Sequence, residues 1–281
     1  MIINDIKSEQ TRKGAVIMKK IIFLDIDGTL LDCFNGLLDI TPKVKEVIHS
    51  LQANGDYVFI ASGRPYAFLS QAILDFGFDG FILANGAQVI IDNNTIYSDP
   101  INKEFVKNLI SEFERNNIQY ILEGEFYSYM KDCYKEFYDL YESLGVSRRY
   151  IKSAYDIEEI DVHKVEMLCT DVEASRLCLS LVKSASNYDY FSSMDEKSFE
   201  LYSKKNTKAT GILKALDYLG IPIENSYAFG DGKNDIEMLS AVGCGIAMGN
   251  ACDEVKRHAK EVTDTVHNDG VAMGIEKYVV C

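Results

Sequence analysis

Short apolar runs alternate with segments of helical period over residues 20–84, lose that rhythm in the middle of the chain, and regain it after Leu201. Ile21–Leu24 is a continuous apolar run of the kind that fills a strand buried on both faces. Thr41 and Pro42 supply a helix cap and a first-turn proline, Val44, Val47, Ile48 and Leu51 follow at helical spacing, and Gly55 lies past the end. Tyr57–Ala61 is a second strand, Leu69, Ala72, Ile73 and Phe76 form a second helical face, and residues 81–84 are a third strand. A β-α-β-α-β order of this kind predicts parallel strands joined by right-handed crossovers.

Beyond Asn85-Gly86 the character changes to polar helices, many tyrosines and hairpin-like pieces. Residues 118–122 and 126–130 flank Glu123-Gly124-Glu125 and read as two strands around a tight turn. The α/β rhythm returns with a helix through Ala209, Ile212, Leu213 and Leu216, then strands at residues 227–229 and 244–248. The expectation is one split domain, residues 19–84 and 199–281, interrupted by an α+β insert at 85–198, with residues 1–18 as an extension.

Four segments fall where an open parallel sheet binds its ligands, at the carboxyl ends of strands or the start of a helix. They are Asp25-Ile26-Asp27-Gly28-Thr29, Ser62-Gly63-Arg64-Pro65, Lys208, and Gly230-Asp231-Gly232-Lys233-Asn234-Asp235. Two aspartates two residues apart can face one site if the chain turns at Gly28. One carboxylate can attack phosphorus, and the other can protonate the leaving oxygen and later take a proton from water. Asp231 adds a third negative charge, a surplus that a hard cation such as Mg²⁺ resolves. Ser62 and the backbone N–H groups near Gly63 suit phosphate oxygens, and Lys208 can offset charge in the transition state. Taken singly, each segment is an ordinary turn, cap or surface residue. Their joint order at matching strand ends is what points to phosphoryl chemistry.

Charge narrows the partners. Acidic residues outnumber basic ones by 43 to 29, a net charge of -14 that repels nucleic acid and anionic lipid. A phosphorylated metabolite is repelled too, so its site must carry local cations. No apolar run reaches the length of a membrane span. The seven cysteines include no C-x-x-C pair, which predicts a reducing, cytoplasmic setting.

DIDGTL at residues 25–30, ASGRP at 61–65, Lys208, GDGKNDIEML at 230–239, GCGIAMGNA at 243–251 and NDGVAMGIEKYV at 268–279 together resemble the haloacid dehalogenase superfamily. Within it, they resemble specifically the Cof-like hydrolases with a type IIB cap. The resemblance implies a Rossmann-like α/β core with a parallel sheet and an inserted α+β cap. It further implies Asp25 as nucleophile, Asp27 as general acid and base, and Mg²⁺ on Asp25, the Asp27 backbone carbonyl and Asp231. Ser62, Gly63, Lys208 and Asn234 would touch phosphate, with Thr29, Arg64 and Asp235 in support. The segment Asn206-Thr207-Lys208-Ala209 departs from the family's usual Val-Ser-Lys-Gly, and Lys204 and Lys205 lie near enough to compete for the lysine's place.

The cap would close over the site and select the substrate. Glu123, Tyr127 and Tyr129 are candidates to meet it, whereas Tyr134, Tyr138 and Tyr141 at helical spacing read as packing. A small phosphorylated metabolite is the expected substrate of a phosphatase of this kind. A phosphotransferase or phosphomutase would use the same adduct, and a non-catalytic receptor would need no acid/base beside the nucleophile.

Overall fold

The computed structural model describes residues 19–143 and 145–280, so the expected extension at 1–18 lies outside the described residues. In chain order the strands are β1 (Ile21–Leu24), β2 (Tyr57–Ala61), β3 (Gly80–Leu83), β4 (Gln88–Ile91), β5 (Asn94–Ser98), β6 (Gln119–Gly124) and β7 (Ser128–Tyr129). They continue as β8 (Ile151–Lys152), β9 (Val162–Leu168), β10 (Tyr188–Ser192), β11 (Ser198–Ser203), β12 (Ser226–Gly230), β13 (Cys244–Ala247) and β14 (Glu261–Val262). Among the described residues they form an eight-stranded sheet, β14-β13-β12-β1-β2-β3-β4-β5, and a six-stranded sheet, β10-β11-β9-β6-β7-β8.

β1 is parallel to both β2 and β12, and its four residues are fully buried. Ile22 and Leu24 pack with Val44, Ile48 and Leu51 of the helix Pro42–Ala53 on one side. Ile21 and Phe23 pack with Ile212 and Leu216 of the helix Lys208–Leu219 on the other. Strand periodicity thus gives each layer of helices its own half of the core. The helix Pro42–Ala53 starts where expected, with Thr41 Oγ1 capping the Val44 N–H.

The two sheets part at residues other than 85 and 198. After Ala84–Gly86 the chain turns back, and the larger sheet is extended by β4, antiparallel to β3, and by β5, antiparallel to β4. Asp92 and Asn93, both with positive φ (50° and 61°), make the tight turn between β4 and β5, as short polar side chains permit. At the far end, β11 pairs with β9 and β10 and so belongs to the smaller sheet. Phe199, Leu201 and Ser203 are buried while Ser198, Glu200 and Tyr202 are only half-buried, the alternation of a sheet with one open face.

The insert sits down on the core. Tyr66 of the core meets Phe126 and Tyr150 edge-on, and Phe68 lies 4.5 Å from the Tyr141 ring. The open face of the smaller sheet is thereby turned toward the carboxyl ends of β1, β2 and β12.

Candidate active site

Strand pairing alone brings three of the four segments together. β12, β1 and β2 are neighbours, so Asp25, Ser62 and Asp231 follow the ends of adjacent strands, at the point where strand order reverses. The Asp25 N–H donates to Phe229 O and the Ser62 N–H to Ile82 O, continuing the ladders to these residues. Gly28 carries the turn between Asp25 and the rest of its loop with φ of +80°. A Cβ there would stand 2.2 Å from the Asp231 carboxylate, so the closeness of the two loops depends on glycine.

Lys208 opens the helix Lys208–Leu219, capped by Thr207, and its side chain is wholly buried. Its ammonium donates to Asp25 Oδ1 at 2.5 Å and to Asp235 Oδ1 at 2.6 Å. Lys204 instead reaches Ser186 O, so of the neighbouring lysines it is Lys208 that enters the carboxylate cluster. Burial alone would lower the Lys208 pKa, but Asp235 and Asp25 outweigh it and hold the group above the ordinary lysine value.

Oxygens of Asp25, Asp231 and Asp235 lie within 4.8 Å of one another. Burial, and then the Asp235 carboxylate, push Asp25 well above its ordinary value despite Lys208. Burial, and then Asp235 again, raise Asp231 to about 6. Three carboxylates against one ammonium are short of positive charge, and a hard divalent cation fits that donor set. The oxygens are not equivalent, however. Asp235 Oδ2 accepts the N–H groups of Asp231 and Gly232 at 2.9 and 2.8 Å, and Oδ1 accepts Lys208. Both oxygens of Asp235 are therefore engaged in holding the loop and the lysine at 2.6 to 2.9 Å, whereas those of Asp231 accept only longer hydrogen bonds of 3.2 Å, from Thr29 and Asn250.

Asp27 points differently. Arg64 Nε and Nη2 grip its carboxylate at 2.8 and 2.6 Å, and Nη1 donates to Phe68 O at 3.1 Å. Ser62 Oγ accepts the Arg64 N–H at 3.1 Å, and Thr29 Oγ1 donates to Asp231 Oδ1 at 3.2 Å.

Two asparagines that carry no assigned role in the sequence join the site. Asn85, in the left-handed conformation (φ 54°), accepts from Asn234 Nδ2 at 3.3 Å and sets its side chain beside Gly63. Asn250 donates to Gly28 O at 2.8 Å and to Asp231 Oδ2 at 3.2 Å, tying the first and fourth segments together. The signal for Asn85 is its Asn-Gly pair; Asn250 lies inside the GCGIAMGNA stretch.

A cavity of about 400 Å³ joins these residues to the insert. Asp25, Asp27, Ser62, Gly63, Arg64 and Asn234 line the core side. From the insert come Tyr141, Lys164, Glu166, Ser198 and Glu200. Of the insert residues expected to meet a substrate, Glu123 is fully buried beside Lys164. Tyr127 lies under the Lys152 ammonium, and Tyr129 packs on Tyr155. Tyr141, expected to serve packing, does so against Phe68 and also donates its hydroxyl to Glu166 on the cavity wall.

The family model for haloacid dehalogenase-like hydrolases matches residues 22–275. The chain is 31% identical over 271 residues to the 5-amino-6-(5-phospho-D-ribitylamino)uracil phosphatase YitU of Bacillus subtilis, covering 92% of this chain and 97% of that one. Among solved structures, a hypothetical protein from Geobacillus kaustophilus superposes with a TM-score of 0.82 at 30% identity, over 94% of this chain and all of that one. A sugar phosphatase of subclass IIB superposes with a TM-score of 0.76 at 27% identity, again over 94% of this chain and all of the other.

Proposed function

The chain belongs to the haloacid dehalogenase-like hydrolases, and we propose that it is a magnesium-dependent phosphatase that releases phosphate from a small phosphorylated metabolite through an aspartyl-phosphate on Asp25. The observation that carries this reading is the Asp25 carboxylate, buried at a strand end, with one oxygen held by Lys208 and with oxygens of Asp25, Asp231 and Asp235 within 4.8 Å of one another.

In the first step an Asp25 oxygen forms a bond to phosphorus as the bond to the substrate's alcohol oxygen breaks. Asp27, two residues on, gives that oxygen its proton. In the second step water attacks phosphorus, Asp27 takes its proton, and the acyl phosphate opens to inorganic phosphate and free Asp25. Ser62, the Gly63 backbone and Asn234 would hold the equatorial oxygens, while Lys208 would offset their charge. A bound Mg²⁺, held by Asp25, Asp231 and the Asp27 carbonyl, would supply positive charge to both carboxylates and phosphoryl oxygens. Arg64 fixes Asp27 at the cavity, and the cap limits access of water.

The ribityl phosphate named for one relative and the sugar phosphatase among the structural neighbours support a sugar or polyol phosphate as substrate. In the test, the purified chain is given p-nitrophenyl phosphate with and without Mg²⁺. Phosphate release that stops in chelator and returns with Mg²⁺ is expected. Undiminished release in chelator would contradict the cation, and no release with any divalent ion would contradict the phosphatase.

A further inference from the structure

The smaller sheet carries a charged cluster that the chemistry at Asp25 does not use. The register of β6, β9 and β11 sets Glu123 opposite Lys164 and Glu200 opposite Glu166. The Lys164 ammonium lies 3.1 Å from an oxygen of each of Glu123, Glu166 and Glu200. Carboxylates directly across two strands repel, and one lysine among three of them leaves the cluster short of positive charge. Glu123 is wholly buried, with the Lys164 ammonium as the cation beside it. An arrangement so unfavourable for the sheet itself marks a position kept for function.

The cluster faces the cavity. Lys164, Glu166 and Glu200 line it together with Asp25 and Ser62, and Lys164 Nζ also donates to Gly63 O at 3.5 Å. Glu200 is the most open of the three carboxylates, with 32% of its side chain exposed against 12% for Glu166. Tyr141 holds the far oxygen of Glu166. No cation on the lining is left for a second anion. Lys164 is enclosed by carboxylates, and Arg64 is gripped by Asp27. Phe68, Leu140 and Val146 add apolar surface to the same cavity.

We infer that Glu166 and Glu200 are specificity-determining residues that accept hydrogen bonds from the alcohol portion of the substrate, and that this portion carries hydroxyl or ammonium donors and no second acidic group. The inference rests on the phosphatase reading of Asp25 and adds the chemistry of the leaving alcohol. Carboxylates sheltered from bulk water accept strongly from O–H and N–H groups and strongly disfavour another anion. A polyhydroxylated or amino-bearing alcohol matches both surfaces, with C–H surface for Phe68, Leu140 and Val146 and donors for β9 and β11.

A matched pair tests this. Sorbitol 6-phosphate and 6-phosphogluconate have the same chain length and differ at the terminal carbon, a hydroxymethyl group in one and a carboxylate in the other. Each is measured as a competitive inhibitor of p-nitrophenyl phosphate hydrolysis by the full chain in Mg²⁺. Sorbitol 6-phosphate should bind about tenfold tighter or more, and Glu200→Gln should bring the two inhibition constants several-fold closer, roughly the effect of removing one facing charge. Equal binding, tighter binding of 6-phosphogluconate, or a ratio unmoved by Glu200→Gln would overturn the inference. A wild-type chain that fails to turn over p-nitrophenyl phosphate would instead overturn the phosphatase reading beneath it.

Discussion

Lys208 Nζ stands 2.5 Å from Asp25 Oδ1, with the lysine side chain wholly buried and the aspartate nearly so. The two residues are 183 positions apart in the chain and meet because β1 lies beside β12 and against the helix that Lys208 opens. An ion pair out of water is weak evidence for stability, since desolvation offsets most of the attraction. In the proposed mechanism its value is orientation: Lys208 holds one Asp25 oxygen and leaves the other for phosphorus.

Replacing Lys208 by Met should therefore damage both chemistry and fold. The turnover number should fall about a hundredfold or more, as when a preorganised charge is removed from a transition state. Because Asp25 and Asp235 would be left buried without their cation, unfolding in urea should occur earlier by about 3 kcal/mol. An unchanged turnover number in a folded variant would contradict the role of Lys208.

Asp27 should matter according to the leaving group. An alkyl phosphate needs a proton on the departing oxygen, whereas p-nitrophenolate leaves without one. Asp27→Asn should lose about a hundredfold or more in kcat/KM, which reports the first step alone, on an alkyl phosphate, with a smaller loss in kcat/KM on p-nitrophenyl phosphate. Arg64→Gln should show the same selectivity, more weakly, because it frees the carboxylate that Arg64 grips. Equal losses on both substrates would argue against Asp27 as the acid.

The raised Asp231 pKa makes a prediction about protons. Burial and Asp235 lift it to about 6 from an ordinary 3.8, so without a cation the folded state binds more protons than the unfolded one through that window. Asp231 thus opposes folding increasingly as pH rises from near 4 to near 6, and the opposition is complete above it. Mg²⁺ should relieve this, releasing protons on binding near pH 6 and raising the melting temperature more at pH 7 than at pH 5. Calorimetry in two buffers of different ionisation enthalpy reads the release directly. No release, or none lost in Asp231→Asn, would contradict it.

Gly28→Ala probes the turn that brings the first and fourth segments together. A methyl group 2.2 Å from Asp231, on a residue with φ of +80°, must push the two loops apart. The Mg²⁺ concentration giving half-maximal activity should rise, and the variant should melt earlier. Normal Mg²⁺ dependence would show that the loops do not rely on this contact.

What the sequence made legible follows from how locally each feature is encoded. Asp25, Ser62 and Asp231 each follow an apolar strand directly, so strand order alone predicts their meeting. Lys208 could be placed near the cluster, but only the helix start and burial distinguish it from Lys204 and Lys205. The hairpin β4–β5 was hidden because the Asn85-Gly86 turn marks a reversal within the core sheet as readily as an exit from it. The cap wall was least legible. Lys164, Glu166 and Glu200 come together through the pairing of β9 with β11, which no local spacing reveals, whereas the tyrosines of the Gln119–Tyr129 segment drew attention and turned to packing.

The central claim is a phosphoryl group carried on Asp25. Its most direct test uses Asp27→Asn turning over p-nitrophenyl phosphate, a variant in which formation of the adduct needs no acid while its hydrolysis lacks a base. After rapid acid quench and digestion, mass spectrometry should find one phosphoryl group on the peptide containing Asp25, and none when Asp25→Asn is added to the variant. Phosphate on a peptide that lacks Asp25, or continued turnover by Asp25→Asn alone, would contradict the account.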